Sequence, residues 1–169
     1  MLYSHDDQYS LYAWFITQLQ SRWEVEDEGE LTDLLNVEFT FGDAFVMLRQ
    51  SSYIDRMCAQ FLPSGVPTAG CYKVPCDQML PQLVADALTQ DAAAVDAALL
   101  QSYQALVGSL LYAAVQTRPD IAYAVGMLCR AMGKPTPELL LAATHVLCYL
   151  SRTRELGLCY TPDQSEAHG

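Results

Sequence analysis

At 169 residues, 51% of them hydrophobic, the chain is long enough to bury one core of ordinary size and too apolar for wholesale disorder. Its formal charge of −11 is unevenly spread: residues 1–100 hold 15 Asp and Glu against Arg22, Arg49, Arg56 and Lys73, while residues 101–169 hold five of each sign. That balance excludes a generally basic nucleic-acid binder. The lack of any run of about 18 apolar residues, or of a basic N-terminal region ahead of one, predicts no membrane span and no secretory signal, hence a cytoplasmic protein.

In chain order, residues 9–23 predict a helix with Leu11, Trp14, Phe15 and Leu19 on one face, and Asp6, Asp7 or Ser10 can cap its start. An acidic turn over 24–29 leads through 31–35 into alternating Val37, Phe39 and Phe41, the period of a strand with one buried face. Gly42-Asp43 predicts a tight reversal, with Gly42 supplying a positive φ, and 45–48 return to complete a hairpin. Ser51 or Ser52 is placed to cap a helix carrying Tyr53, Ile54, Met57 and Phe61. Residues 63–81 hold four of the eight prolines and predict a connector. The Ala- and Asp-rich stretch 83–100 offers only a weak apolar stripe, so it suits a mobile segment as well as a packed one.

From Tyr103 the pattern is clear. Tyr103, Leu106, Val107, Leu110, Leu111 and Ala114 line one helical face until Thr117-Arg118-Pro119-Asp120 turns a sharp corner. Ile121, Val125, Leu128, Cys129 and Met132 then continue at helical spacing until Gly133 and Pro135. Thr136 as N-cap and Pro137 at the first helical position open a third helix, striped by Leu139, Ala143, Val146, Leu147 and Leu150 and ended by Gly157. A short strand follows at 156–160. His145 and Cys148, one turn apart, could share a metal, but no further ligand stands near them in sequence and an ordinary helix face is expected. The six cysteines (Cys58, Cys71, Cys76, Cys129, Cys148, Cys159) form no Cys-x-x-Cys pair and predict reduced thiols. The expected fold is α+β: a helix–hairpin–helix over 1–62, a linker over 63–100 that is partly mobile, a three-helix unit ending in a short strand over 101–160, and a disordered tail over 161–169.

The run YQALVGSLLYAAVQTRPDIAYAVGMLCR resembles the Y-R-x-L-V-G-x-L-x-Y-x-x-x-T-R-P-D-I-x-Y-A-V segment of copia-type retrotransposon reverse transcriptases. It places Tyr103, Gly108, Arg118, Pro119, Asp120 and Tyr123 at the family's motif positions, where the resemblance implies a structural role. VEDEGELTDLLNVE resembles the family's V-x-D-x-G-x-L-x-x-x-L-G-I-E block, with Asn36 where glycine is usual, and Gln50, Tyr53 and Ile54 fit its Q-x-x-Y-I block. The third helix is similar to P-x-x-x-H-W-x-A-x-x-R-I-L-R-Y-L-x-x-T, with Leu139-Leu140 in place of His-Trp and with His145 and Cys148 in place of two basic residues. Residues 156–160 look like the first strand of the RNase H domain that follows in the family.

The resemblance covers about residues 1–160. It implies a fragment of an RNA-directed DNA polymerase running from the end of the palm through the thumb and connection. Its partners would be the remainder of the polyprotein, including RNase H, and a template–primer held weakly by Arg118, Arg130, Lys134, Arg152 and Arg154. The family's catalytic pair lies in a Tyr-x-Asp-Asp hairpin, for which Asp6 and Asp7 are the local candidates. Tyr3-Ser4-His5-Asp6-Asp7 has one residue too many and runs into a predicted helix, and alignment puts the true pair at or before Met1. No catalytic or metal-binding residue and no cofactor is therefore expected in the chain, Mg²⁺ belonging to the full-length enzyme. A free-standing helical interaction module, or a decayed element without a selected role, fits the same residues.

Overall fold

Tyr103, Leu106, Val107, Leu110 and Ala113 on one flank of α4 (Ala97–Gln116) are at most 2% exposed, and the core assembles on them. The computed structural model describes residues 5–26, 29, 31–67, 72–89 and 95–162, with side chains from residue 11 onward. Contacts divide it into two compact units, Met1–Leu31 and Thr32–Gly169.

The first unit contains α1 (His5–Gln20). Because the helix begins at His5, Ser10 lies inside it and is no cap; the side chains of Asp6 and Asp7 lie outside the described residues. Of the face expected to be buried, Leu11, Trp14 and Phe15 are more than half exposed and Leu19 is partly so. Gln20 Nε2 donates to the Val25 carbonyl at 3.3 Å as the chain leaves the helix.

In the second unit, β1 (Asp33–Leu34), β2 (Val37–Gly42) and β3 (Phe45–Arg49) form an antiparallel meander, and β4 (Leu158–Tyr160) adds to its far edge, in the order β1-β2-β3-β4. Positive φ falls at Leu35 (52°) and Asn36 (64°) in the two-residue turn between β1 and β2, where the primed conformation matches strand twist. Asparagine tolerates that region, which is how Asn36 can stand where glycine is usual. Gly42 is needed for a different reason from the one expected. It pairs with Phe45 inside the hairpin, and a Cβ there would sit 2.2 Å from the Phe45 ring. The strand expected to begin RNase H instead pairs with β3, Val46 opposite Tyr160 and Leu48 opposite Leu158.

α2 (Ser51–Phe61) buries Ile54 and Met57 as expected. Neither Ser51 nor Ser52 caps it; Gln50 is the N-cap residue without a side-chain bond, and the Ser52 N–H donates to the Glu38 carboxylate of β2 at 2.7 Å. Residues 80–89, expected as connector and weak helix, form α3 (Leu80–Thr89), with Leu80, Val84 and Ala87 buried against α5 and α6. Pro81 sits within its first turn, where the missing N–H has no cost. α4 has no charged residue and is long and apolar enough by composition to cross a bilayer, yet here it packs against α5 (Ala122–Cys129) and α6 (Pro137–Arg152). Leu111, expected in the buried stripe, is 43% exposed, and Ala113 takes its place in the core.

Thr136 caps α6 as expected, accepting from the Leu139 N–H at 3.2 Å. α6 ends at Arg152, before Gly157, which serves the sheet: a Cβ on it would lie 2.1 Å from the Leu48 carbonyl oxygen of β3. The hairpin, α2 and α3 share one unit with α4–α6. Residues 163–169 of the expected tail lie outside the described residues.

Candidate functional site

The corner between α4 and α5 gathers the motif residues. Pro119 starts a 3₁₀ turn (Pro119–Ile121) because its fixed φ suits a helical first position, and Asp120 falls in that first turn. Arg118 precedes it and folds inward to 1% exposure. Its Nε and Nη2 donate to the two carboxylate oxygens of Asp120 at 2.9 and 2.7 Å. Its Nη1 and Nη2 donate to the Thr153 carbonyl and hydroxyl at 3.0 and 2.7 Å. The guanidinium also stands 5.6 Å from the Tyr149 ring centre, and the Tyr149 hydroxyl donates to Asp120 at 2.8 Å. Thr153 caps the C-terminus of α6, so a buried cation sits at the negative end of that helix. Burial alone would raise the Asp120 pKa, but hydrogen bonds from Arg118 and Tyr149 and the Arg118 charge outweigh it and hold the carboxyl below its ordinary value.

One residue back, the Thr117 hydroxyl donates to Gln50 Oε1 at 2.9 Å, both side chains buried, which ties the corner to the start of α2. Among the described residues, Gln50 Nε2 has no protein hydrogen-bond partner. Tyr103 is fully buried and donates to the Leu128 carbonyl at 2.8 Å, linking α4 to α5. Its burial, with the neighbouring Cys129, pushes the phenol well above its usual range. Tyr123 is 62% exposed, and at Gly108 an added Cβ would meet nothing, so neither is used by the core.

The five basic residues expected to face phosphate differ in burial and in partners. Arg118 is interior, with four N–H groups committed to protein oxygens, which removes it from that set. Arg154 pairs with Asp55 and Glu155 at 3.3 Å each. Arg152 donates to the Pro67 carbonyl and lies 5.3 Å from the Tyr72 ring centre. Lys134 donates to the Leu88 carbonyl at 3.0 Å. Arg130 is exposed, and its Nη1 lies 3.8 Å from the Met127 sulfur.

His145 and Cys148 do not pair on a metal site. His145 Nε2 bonds the Val74 carbonyl at 3.0 Å and its ring meets Tyr72 edge-on, while Cys148 is buried, its thiol pushed up by burial. Among the described residues no three of His, Cys, Asp and Glu converge as a metal would require, and the cysteines described are free. Sequence reasoning missed Tyr149 and Thr153. Their spacing of four places them on one face of α6, but nothing in the sequence shows that this face meets Arg118.

No protein-family model matches the chain, and no solved structure does. Among known proteins it is similar to the retrovirus-related Pol polyprotein from transposon TNT 1-94 of Nicotiana tabacum, 36% identical over 149 residues, which is 84% of this chain and 10% of that polyprotein. It is similar to the putative transposon Ty5-1 protein of Saccharomyces cerevisiae, 45% identical over 58 residues, 34% of this chain and 19% of that protein. It is also similar to secreted RxLR effector protein 161 of Plasmopara viticola, 42% identical over 59 residues, 35% of this chain and 42% of the effector. The chain thus spans about a tenth of the polyprotein it matches over most of its own length. By sequence it is related to a segment of retrotransposon Pol polyproteins.

Proposed function

We propose that the chain is the part of a copia-type reverse transcriptase that runs from the end of the palm through the thumb and connection, and that its role there is architectural. The observation that supports this reading is the direction of the motif side chains. Arg118 and Tyr103 of the motif point into the core and spend their donors on protein oxygens, so the motif is used to hold a corner, not to contact substrate. In this reading the Asp pair that fixes Mg²⁺ for nucleotide addition belongs to the upstream palm, and the template–primer is held chiefly by the rest of the polyprotein, including RNase H. Arg130, Lys134, Arg152 and Arg154 add at most a weak, salt-sensitive and sequence-independent contact, because phosphate binding by scattered cations acts through counterion release. The place of action is the cytoplasm.

The test is primer extension with Mg²⁺ or Mn²⁺ by the purified chain, by its Asp6→Asn, Asp7→Asn double variant, and by the chain mixed with an upstream palm segment. The reading expects no extension from the first two and synthesis from the mixture. Extension by the chain alone that disappears in the double variant would overturn it and make Asp6 and Asp7 the metal-binding pair.

A second reading, a free-standing interaction module, draws on the effector relative. Its name marks a secreted effector, and the chain covers 42% of it. A palm segment that fails to restore synthesis, together with a stably folded chain, would favour that module.

A further inference from the structure

Between the segment leading into α3 and the outer face of α6, the surface is hollowed into a groove of about 270 Å³, walled by Leu80, Leu83 and Ala142. A second hollow adjoins it, shares Cys76 and Asp77, and is edged by Val74 and Tyr123. Around the pair, Val74, Met79, Tyr123 and Leu141 are 54–69% exposed and give the two hollows an apolar edge. The walls are anchored. His145 Nε2 holds the Val74 carbonyl at 3.0 Å, and Asp77 Oδ1 accepts from the Met79 N–H at 2.8 Å. Among the described residues lining either hollow, Asp77 and Glu138 are the acids, and there is no lysine or arginine.

We propose that this double groove docks a basic amphipathic segment of a partner protein, its aliphatic side chains in the hollows and its Lys or Arg side chains beside Asp77 and Glu138. The apolar walls favour aliphatic side chains over water, and the carboxylates select a cationic segment over an acidic one. Aliphatic contact supplies most of the affinity, since exposed ion pairs contribute little.

The test uses a labelled 16-residue peptide of Leu and Lys, with Leu at helical i, i+3, i+4 and i+7 spacing, and a counterpart with Glu replacing Lys, each titrated against the full chain by fluorescence anisotropy. Leu141→Glu is the deciding variant. Leu141 is 69% exposed, so the fold tolerates the change, and the added acid strengthens any non-specific attraction of Lys for a chain of charge −11. Docking in the groove predicts the opposite: about tenfold weaker binding, the worth of one aliphatic contact. It predicts roughly threefold weakening in an Asp77→Asn, Glu138→Gln double variant, in which Asn retains the bond to Met79. Equal or tighter binding to Leu141→Glu overturns the proposal, as does equal binding of the Glu peptide. A dimer in sedimentation velocity that Leu141→Glu dissociates also overturns it, because the occupant would then be a second copy of the chain.

Discussion

Removing the Arg118 side chain should destabilise the chain more than any other single change at a charged residue. In Arg118→Ala, two charge-assisted bonds to Asp120 and two bonds to Thr153 are lost at once, together with the packing of a side chain that is 1% exposed. Breaking a fully buried pair by removing one partner costs about 3–5 kcal/mol because the other charge is stranded. Asp120 is not fully stranded: its side chain is 35% exposed and water can reach the carboxylate, which lowers the figure. The Thr153 hydroxyl keeps its own bond to the Tyr149 carbonyl at 2.8 Å. The expected loss is about 2–4 kcal/mol, read as a shift in urea midpoint at unchanged slope, or as a melting temperature lowered by roughly 5–15 °C in a chain of this size. Arg118→Lys should recover only part of it, since an ammonium cannot reproduce the planar two-oxygen bond to Asp120. A double-mutant cycle with Asp120→Ala should show coupling of about 1–3 kcal/mol. An Arg118→Ala loss below about 1 kcal/mol, with no coupling to Asp120, would refute the claim that this corner holds the fold.

The core provides a second check: Leu110 is fully buried, so Leu110→Ala should cost about 2–5 kcal/mol by chemical denaturation. The two glycines should behave oppositely. Gly108→Ala adds a methyl into open space within a helix and should stabilise by about 0.5–1 kcal/mol, whereas Gly157→Ala would drive a Cβ to 2.1 Å from the Leu48 carbonyl oxygen and should destabilise by about 1–3 kcal/mol. For pH, Asp120 has a folded-state pKa below its unfolded value. Its contribution is therefore complete above the ordinary aspartate value of about 3.9 and is lost as pH falls through the depressed value. Acid titration of stability should show a shallower slope below about pH 4 in Asp120→Asn than in the parent chain.

How much of this was legible in the sequence differed element by element. α6 was readable almost in full, because Thr136, Pro137 and a regular apolar stripe all specify the same start and the same buried face. The β2–β3 hairpin was readable from alternation, but not which residue its turns depend on: the positive φ values fall at Leu35 and Asn36, and Gly42 instead makes room for an aromatic ring. α3 was obscured by Pro81, taken as part of the connector. A proline in the first turn is compatible with a helix, and Leu80, Val84 and Ala87 form a stripe that starts one residue before it. The α1 face shows the converse: Leu11, Trp14 and Phe15 share one face at helical spacing and are more than half exposed, since periodicity reports what a helix can bury and not what it does bury. Arg118 is expected both at a structural motif position and, as one of the cations of the tract 118–154, at the surface, and the sequence does not decide between the two. Asp120 two residues on was visible, but Tyr149 and Thr153 come from an element whose approach only tertiary packing decides.

The same packing explains why a short surface-like motif can matter to the whole second unit. Thr117 ties the corner to Gln50, the residue between β3 and α2, while Arg118 ties it to Thr153, where α6 ends. From Thr153 the chain runs four residues to Gly157, whose backbone lies against Leu48, and then enters β4. Both routes from the helices into the sheet therefore start at adjacent residues of one turn. Two further bonds fix the sheet's other side, Arg56 of α2 donating to Asn36 and Tyr112 of α4 donating to the Leu35 carbonyl, and these hold the turn whose backbone is least favourable for a leucine. A side chain that bound substrate from this corner would have to give up one of these ties in each binding event. That is the physical reason to expect Thr117 and Arg118 to serve the fold, while Tyr123 of the same motif stays exposed at the edge of the groove.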